Sequence, residues 1–411
     1  MDKRIIHYVE HQQDAMTNFL GDLIRIQTVN PPGKDYLDCV RFLHQRLEAL
    51  GFTSRILEVP DREVQRHHPE NARYPRFNVL ANWDVGAKKT LHFNAHYDVV
   101  PVSGKWRGKP FSGSLHGGQV HGRGSADMKG SIASFLHAME AFRSARLSPA
   151  FNIEVSFVCD EETGGHLGTQ FLTQNYPLKA DIVIVGEGAH GLSVGVGHNG
   201  VIWIKVEILG KSAHASRPGD GQNAFEAAAG VVCGLADYRE VISTRSFKPT
   251  GGRNLTPTLC VGGTFGQGPG GKTNIVPDSA WFTLDRRVLP NEDIADAEVE
   301  LINAIETAGK GARAKLKIEC LHQAGSYCTD PDGPFPRSFS RSVASVLHGE
   351  SKPFVTPGFT DARFFGTDLG LPTIGYGPSG VRYHAPNEAV KVDSLVKTSL
   401  VYAHFLTHAS G

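Results

Sequence analysis

Four apolar runs in the first half of the sequence constrain the fold more than any other feature. They cover residues 77–83, 90–95, 152–159 and 181–185, and their length and their branched and aromatic side chains predict buried strands. Between the second and third runs, a helical face is predicted from Ile132, Phe135, Leu136, Met139 and Phe142. Strands that alternate with helices form largely parallel sheets. We therefore predict an α/β fold with a mixed, largely parallel sheet and helices on both faces.

The pattern changes after residue 197. Strand 201–209, helix 223–238, strands 257–264 and 279–288, helix 292–308 and strand 312–320 follow in that order. This β-α-β-β-α-β order is that of an α+β ferredoxin-like unit. A chain of 411 residues is also too long for one ordinary core. We predict a discontinuous domain of residues 1–197 and 323–411, interrupted by an inserted domain of residues 198–322.

Charge and cysteine content limit the partners and the compartment. Lys plus Arg equals Asp plus Glu, at 42 each, which argues against nucleic acid or an anionic membrane because both select a basic surface. The first residues form no apolar secretory signal, and no run reaches membrane-spanning length. The six cysteines contain no CxxC pair. We expect buried free thiols in a cytoplasmic protein.

Histidine and aspartate residues follow the predicted strands. His96 and Asp98 come directly after residues 90–95, on one face of an extended segment where ligands bind in open α/β folds. Taken alone, the pair could also be a histidine of the core whose ring forms a hydrogen bond with a nearby carboxylate. Asp127 lies in the glycine-rich segment 122–130 before the predicted helix, where it could equally cap the helix N-terminus.

Further acids and a histidine complete the series. Asp160, Glu161 and Glu162 end the third run, Glu187 follows the fourth, and His384 lies in a turn near the C-terminus. Three consecutive carboxylates repel one another, so a solvated loop is one interpretation and a cation beneath them is the other. Asp160 is expected to be an exposed loop acid, and residues 61–76 are expected to be a polar surface excursion without a role.

Together these motifs resemble a known family. HYD at 96–98, GRGSADMKG at 122–130, DEETGG at 160–165, GEG at 186–188 and HAPNE at 384–388 resemble the amidohydrolase family of acetylornithine deacetylase, succinyl-diaminopimelate desuccinylase, aminoacylase and carboxypeptidase G. The resemblance covers nearly the whole chain. It implies a metal-dependent hydrolase that cleaves the amide bond of a small N-acyl amino acid or a related carboxylate-bearing substrate.

The resemblance also implies a role for each motif residue. One of two divalent metal ions is expected at His96, Asp127 and Glu187, and the other at Asp127, Glu162 and His384. Asp98 is expected to orient His96, and Glu161 to act as the general base for attack by a metal-bridging hydroxide. Zinc is the expected metal, and cobalt or manganese would also suit these ligands. Relatives have a cis peptide after the bridging aspartate, here Asp127-Met128.

The inserted domain carries motifs of the same family. His214, in GKSAHASRP at 210–218, is expected to reach the active site of the neighbouring subunit in a homodimer and stabilise the oxyanion; otherwise it is a turn histidine. Asn274 and Arg287 are candidates for binding the substrate carboxylate, since a guanidinium group can pair with it bidentately. Gly358 and Thr360 are expected to line the substrate pocket.

Three other functions remain open at this point. The same scaffold could serve a dipeptidase or glutamate-carboxypeptidase-type exopeptidase, or an enzyme that hydrolyses another C–N bond such as that of an aryl amine. The metal residues would be shared by all of these, so only the pocket around the substrate residues would separate them. A non-catalytic binding protein with a retained metal site is the alternative from a different class, and turnover with added metal would exclude it.

Overall fold

A computed structural model describes residues 1–408 of the chain, which form two compact units. The first unit comprises residues 1–197, 329–356 and the chain from 360 onward, and the second comprises residues 198–328 and 357–359. None of the helices within residues 1–408 is long and apolar enough to cross a membrane.

The helices and strands are numbered in chain order. The helices are α1 (Lys3–His11), α2 (Gln13–Arg25), α3 (Tyr36–Ala49), α4 (Asp61–His67), α5 (Lys129–Ala145), α6 (Phe171–Asn175), α7 (Ala224–Gly234), α8 (Ala236–Ser243), α9 (Ile294–Gly311), α10 (Pro334–Leu347), α11 (Ala362–Gly366) and α12 (Val392–His408). Short 3-10 turns lie at Pro69–Asn71, Glu161–Thr163 and Pro218–Asp220, and a π turn at His166–Gln170. The strands are β1 (Thr53–Glu58), β2 (Phe77–Trp83), β3 (Thr90–His96), β4 (Ser114–His116), β5 (Gln119–His121), β6 (Asn152–Val158), β7 (Ile182–Val185), β8 (Ser193–His198), β9 (Gly200–Leu209), β10 (Ala213–His214), β11 (Thr258–Gln267), β12 (Ile275–Val276), β13 (Ser279–Val288), β14 (Lys315–Ala324), β15 (Tyr327–Cys328), β16 (Lys352–Thr356), β17 (Thr373–Gly375), β18 (Gly380–Val381) and β19 (Ala389–Lys391).

The main sheet of the first unit confirms the predicted α/β class. Its strands follow the order β1-β2-β6-β3-β7-β17-β8, and β16 also pairs with β8. The central strands β6, β3, β7 and β17 are parallel, whereas β1, β2 and β8 pair antiparallel. Strands β2 and β3 are buried along almost their whole length, which explains their continuous apolar sequences.

Helices cover both faces of this sheet, as two neighbouring residues of β3 show. The ring of Phe93 stacks on Phe135 of α5 with the centroids 3.9 Å apart, and it meets Tyr402 of α12 edge to face. His92 points to the other face, where its ring centroid lies 5.1 Å from that of Phe365 in α11. Successive side chains of a strand alternate between faces, so α5 and α12 lie on one side and α11 on the other.

The second unit is built on a four-stranded antiparallel sheet in the order β11-β13-β9-β14. With α7 and α9 packed against it, this has the order of elements predicted for a ferredoxin-like unit. Ile204, Leu284, Val231 and Leu301 are among its buried core residues. The single helix predicted at 223–238 was wrong in detail, because α7 ends at Gly234 and α8 begins two residues later.

The expectation that the cysteines are buried was wrong for half of them. All six thiols are free, but Cys233, Cys260 and Cys320 are exposed, and only Cys39 and Cys159 are buried. The exposed thiols lie in α7, β11 and β14, which are covered on one side only and leave their other side to solvent. An apolar neighbourhood in sequence does not reveal which side of such an element a residue occupies.

Candidate metal centre

The candidate ligands meet where the central parallel strands end. Strand β3 ends at His96, β6 ends just before the turn with Glu161 and Glu162, and β7 ends just before Glu187. The carboxyl ends of parallel strands lie at one edge of a sheet, which is where ligands bind in open α/β folds. The strand order therefore brings His96, Glu161, Glu162 and Glu187 together, whereas Asp127 and His384 come from the loops before α5 and β19.

Asp127 lies between two histidines. Its Oδ1 is 3.2 Å from Nε2 of His96, and its Oδ2 is 3.1 Å from Nε2 of His384. The same nitrogen of His384 is 3.1 Å from Oε2 of Glu162. One carboxylate thus reaches two imidazoles through different oxygens.

Two groups of side chains have ligand atoms close enough to share a metal ion. In the group of His96, Asp127 and Glu162, and in the group of His96, Glu161 and Glu187, these atoms lie within 4.8 Å of one another. One oxygen of Glu162 and one of Glu187 are buried and have no hydrogen-bond partner within the described residues. Buried carboxylate oxygens need a partner, and imidazole with carboxylate suits divalent zinc, cobalt or manganese. The residues present therefore fit divalent cations.

The protonation equilibria of the site show a demand for positive charge. Burial raises the pKa of Glu161, and burial raises that of Glu187 to about 8. Hydrogen bonds to Asp127 and Glu162 raise the pKa of His384 to about 10. Burial acts to raise the pKa of Asp127, but hydrogen bonds from His96 and His384 hold it below its ordinary value. Without a metal, protons must supply the charge that the crowded acids require.

The hydrogen bonds of His96 leave Nε2 directed at the acids. Its Nδ1 lies 3.0 Å from the backbone oxygen of Asp98, whereas the Oδ1 atom of Asp98 is 3.5 Å away. A ring nitrogen that donates to a backbone carbonyl fixes the tautomer and leaves the other nitrogen as a ligand. Asp98 is therefore next to His96 as expected, but its nearer contact is the main chain.

The carboxylate of Asp98 holds the turn that carries the glutamates. Its two oxygens accept the backbone N–H groups of Glu161 and Glu162 at 3.2 and 3.3 Å. Asn30 Nδ2 donates to the same carboxylate at 2.9 Å. This contact orients both glutamates, and it was not expected from the sequence.

Comparison with known proteins decides the family. The profile described as Peptidase family M20/M25/M40 matches residues 92–408. The chain belongs to this family. It is therefore a metal-dependent hydrolase of amide or peptide bonds, and the resemblance drawn from the motifs is confirmed.

Individual members are similar over almost their whole length. A succinyl-diaminopimelate desuccinylase of Stenotrophomonas maltophilia is 28% identical, covering 93% of this chain and 95% of that protein. Aminoacylase-1 of Mus musculus is 26% identical, covering 97% and 96%. The solved structure of an M20 family metallo-carboxypeptidase from Sulfolobus solfataricus superposes with a TM-score of 0.74 at 21% identity over 99% of each chain. This structural likeness supports the M20 fold.

In this M20 chain the expectation for Asp160 was wrong. Asp160 is fully buried, not exposed, and its Oδ2 accepts a hydrogen bond from Arg76 Nε at 2.6 Å. Arg76 is equally buried, so residues 61–76 are not only a surface excursion. A carboxylate so far from water requires a charged partner. The sequence did contain one signal of this role: Asp160 is a third acid beside the two glutamates, and no metal-binding role was predicted for it.

Glu388, in the motif at 384–388, is a second residue for which no role was predicted from the sequence. Its carboxylate is buried, pairs with Arg123 at 2.6 Å, and accepts the backbone N–H groups of Ala126 and Asp127 at 2.9 and 3.1 Å. The loop that carries His384 is thereby fixed to the turn that carries Asp127. The peptide Asp127-Met128 is cis, as the family resemblance implied.

The remaining candidates are not members of the two groups of ligand atoms. His214, Asn274, Arg287 and Gly358 belong to the second unit, and Thr360 to the first. Thr360 is buried and its hydroxyl accepts the backbone N–H of Ala362 at 3.2 Å. The catalytic role of His214 and the substrate-binding roles of the other four residues stay predictions.

Proposed function

We propose that this M20 chain hydrolyses the amide bond of a small N-acyl amino acid or a related substrate that carries a carboxylate. The observation that carries the proposal is Asp127, whose two oxygens reach His96 and His384 separately. That arrangement suits a carboxylate that bridges two divalent cations. The names of the two similar proteins, a desuccinylase and an aminoacylase, support an acyl amide as the substrate.

We propose that the ligands divide into two sets that share Asp127. This division differs from the two groups of close ligand atoms, in which Glu161 and not Asp127 lies with His96 and Glu187. One ion would be held by His96, Asp127 and Glu187, and the other by Asp127, Glu162 and His384. Ions bound there would polarise a substrate carbonyl and lower the pKa of water. Zinc is the proposed metal, and these ligands would also suit cobalt or manganese.

Glu161 is the proposed general base. Its Oε2 lies 3.9 Å from Nε2 of His96, and the residue is buried. Burial raises the pKa of Glu161 above that of an exposed glutamate, so its carboxylate can accept the proton of the attacking water and hold it. The same proton can then pass to the departing nitrogen, so that the amine leaves neutral.

His214 is the proposed donor to the oxyanion, supplied by the partner subunit of a homodimer. The residue is exposed, and its Nδ1 accepts the backbone N–H of Ser216 at 3.1 Å. A neutral imidazole that accepts at Nδ1 carries its proton on Nε2. This tautomer leaves an N–H donor for developing negative charge, a contribution of about 3–4 kcal/mol in other enzymes.

The second unit would recognise the substrate carboxylate. Arg287 forms an ion pair with Asp285, with Nε 2.8 Å from Oδ1 and Nη2 3.0 Å from Oδ2. This pair holds the planar guanidinium in one orientation, and a guanidinium can pair bidentately with a carboxylate. Asn274 would assist it, and Gly358 and Thr360 would line the pocket.

A hydrolysis screen of the wild type and Glu161→Ala tests the proposal. The substrates are N-acetyl and N-succinyl amino acids, dipeptides and an aryl amide, each with zinc, cobalt or manganese. We expect wild-type turnover of N-acyl amino acids and a loss of about 10²–10⁴-fold in the variant, with its bound metal retained. Preferred cleavage of dipeptides or of the aryl amide would favour the corresponding alternative. Bound metal without any turnover would indicate a binding protein, and full activity of Glu161→Ala would contradict its assigned role.

Mixed dimers test the role of His214. We expect His214→Ala to be inactive, and its mixture with Glu161→Ala to recover part of the wild-type rate, because one hybrid site would combine an intact base with an intact partner histidine. No recovery after subunit exchange would mean that His214 does not act from the partner subunit.

A further inference from the structure

The three consecutive acids after β6 point in different directions. Glu161 and Glu162 belong to the groups of ligand atoms around His96. Asp160 has positive φ, 60°, and its side chain is buried away from those groups among residues of α3 and the segment before β2. This left-handed backbone turns the chain sharply between the first acid and the second.

Arg76 and Asp160 form a fully buried ion pair. Nε of Arg76 donates to Oδ2 of Asp160 at 2.6 Å, and both side chains have 0% exposure. Tyr36 OH donates to Oδ1 at 2.8 Å, and Asn30 Nδ2 donates to the same oxygen at 3.0 Å. Ionised groups form stronger, shorter and better oriented hydrogen bonds than neutral groups. The carboxylate is therefore held from several sides.

The backbone of Asp160 is held as well. Its carbonyl oxygen accepts the N–H groups of Thr163 and Gly165 at 3.2 and 2.7 Å. Asn30 Nδ2 contacts both Asp160 and Asp98, the residue that accepts the N–H of Glu161. The turn is thus held by hydrogen bonds to the carbonyl oxygen of Asp160 and to the carboxylate of Asp98.

The segment of residues 61–76 packs against the same turn. The ring of His67 stacks on His166 with the centroids 5.0 Å apart, and Nε2 of His68 lies 3.5 Å from Oδ2 of Asp160. Nη1 of Arg76 donates to the carbonyl of Tyr74 at 2.7 Å, which fixes the guanidinium at the end of the segment.

We propose that Arg76 and Asp160 are a positioning pair that sets the direction of Glu161 and Glu162, and that residues 61–76 serve to supply this arginine. Both side chains are fully buried, so the pair acts through the turn. The inference rests on the proposed function, because Glu161 must act as the base for its direction to affect the rate. A displacement of about 1 Å in a catalytic group can lower the rate about 100-fold.

The test uses the double variant Arg76→Gln/Asp160→Asn in the full-length protein. Replacing both partners leaves no buried charge without its counter-ion, so the fold is expected to be retained. We expect kcat to fall about 10–100-fold while KM changes less than about twofold. In the metal-free protein, amide hydrogen exchange of residues 161–165 is expected to become at least about tenfold faster. Arg73→Gln, exposed in the same segment, is the matched control and should change neither quantity.

The outcomes separate this inference from the proposed function. A folded double variant with wild-type kcat and wild-type exchange would overturn the positioning role while leaving the hydrolase intact. A wild type without turnover would overturn the proposed function, and exchange in the metal-free protein would still decide whether the pair holds the turn. If the double variant fails to fold, Tyr36→Phe removes one hydrogen bond from Asp160; unchanged exchange and kcat in that variant would also overturn the inference.

Discussion

Replacing Glu187 with glutamine is expected to stabilise the metal-free protein at neutral pH and to weaken metal binding. Burial raises the pKa of Glu187 from 4.5 to about 8, and Oε1 is buried without a partner within the described residues. Glutamine has nearly the same shape and no charge. The variant therefore avoids the cost of keeping this buried group protonated at neutral pH, and it opens no cavity.

The size of the gain follows from the proton balance. Between pH 4.5 and about 8, the folded metal-free protein keeps a proton that the unfolded chain has released. Stability is therefore fully present below pH 4.5 and falls by about 1.36 kcal/mol per pH unit across this window. At pH 7 the loss is about 3 kcal/mol, and Glu187→Gln should recover it. Below pH 4.5 both states are protonated and the variant gains nothing.

Urea unfolding after chelator treatment measures this effect at several pH values between about 4 and 8. The control is Glu58→Gln, which replaces an exposed glutamate of β1. With saturating zinc the order is expected to reverse, because the variant lacks a proposed ligand. The reasoning is refuted if the metal-free variant is no more stable than the wild type at pH 7, or if its gain does not depend on pH.

Two further substitutions test packing and charge in the first unit. Burial acts to raise the pKa of Glu140, but the hydrogen bond with His137 and the charge of Arg46 hold it below its ordinary value. The ionised Glu140 therefore stabilises the fold above pH about 4.5, and this stabilisation is lost as the pH falls through the lowered pKa. Glu140→Gln should therefore cost about 1–3 kcal/mol at pH 7 in urea unfolding and progressively less as the pH falls below 4.5, and a loss that does not depend on pH would contradict this. Gly165 has φ +70°, and a Cβ there would lie 2.2 Å from Oδ1 of Asp361. Gly165→Ala should lower the free energy of unfolding by about 2–4 kcal/mol, and an unchanged denaturation midpoint would disprove the predicted clash.

The sequence predicted the parts of the site that depend on strand ends. His96, Glu161, Glu162 and Glu187 each follow an apolar run, and parallel pairing brings such ends to one edge whatever the intervening helices do. The periodicity of the second unit likewise predicted its strands and their order, although one helix proved to be two.

The contacts behind the ligands could not be predicted in the same way. Arg76 and Asp160 are 84 positions apart, and neither shows in sequence that its charge is buried. An acid beside two other acids is most often solvated, and only a partner in the interior changes that preference. The carboxylate of Asp98 does lie 3.5 Å from His96, the residue that it was expected to orient, but its hydrogen bonds with the backbone of the glutamate turn were not predicted.

Glu388 has a consequence for recognising inert homologues. Glu388 pairs with Arg123 and accepts the N–H groups of Ala126 and Asp127. An apolar residue at this position would leave the buried guanidinium without a counter-ion and would remove the hydrogen bonds between the two loops that carry ligands. A homologue could then keep every histidine and acid that binds metal and still lack enzymatic activity. The presence of all the metal ligands is therefore not a sufficient criterion of activity. Glu388, directly before β19, should be checked together with them.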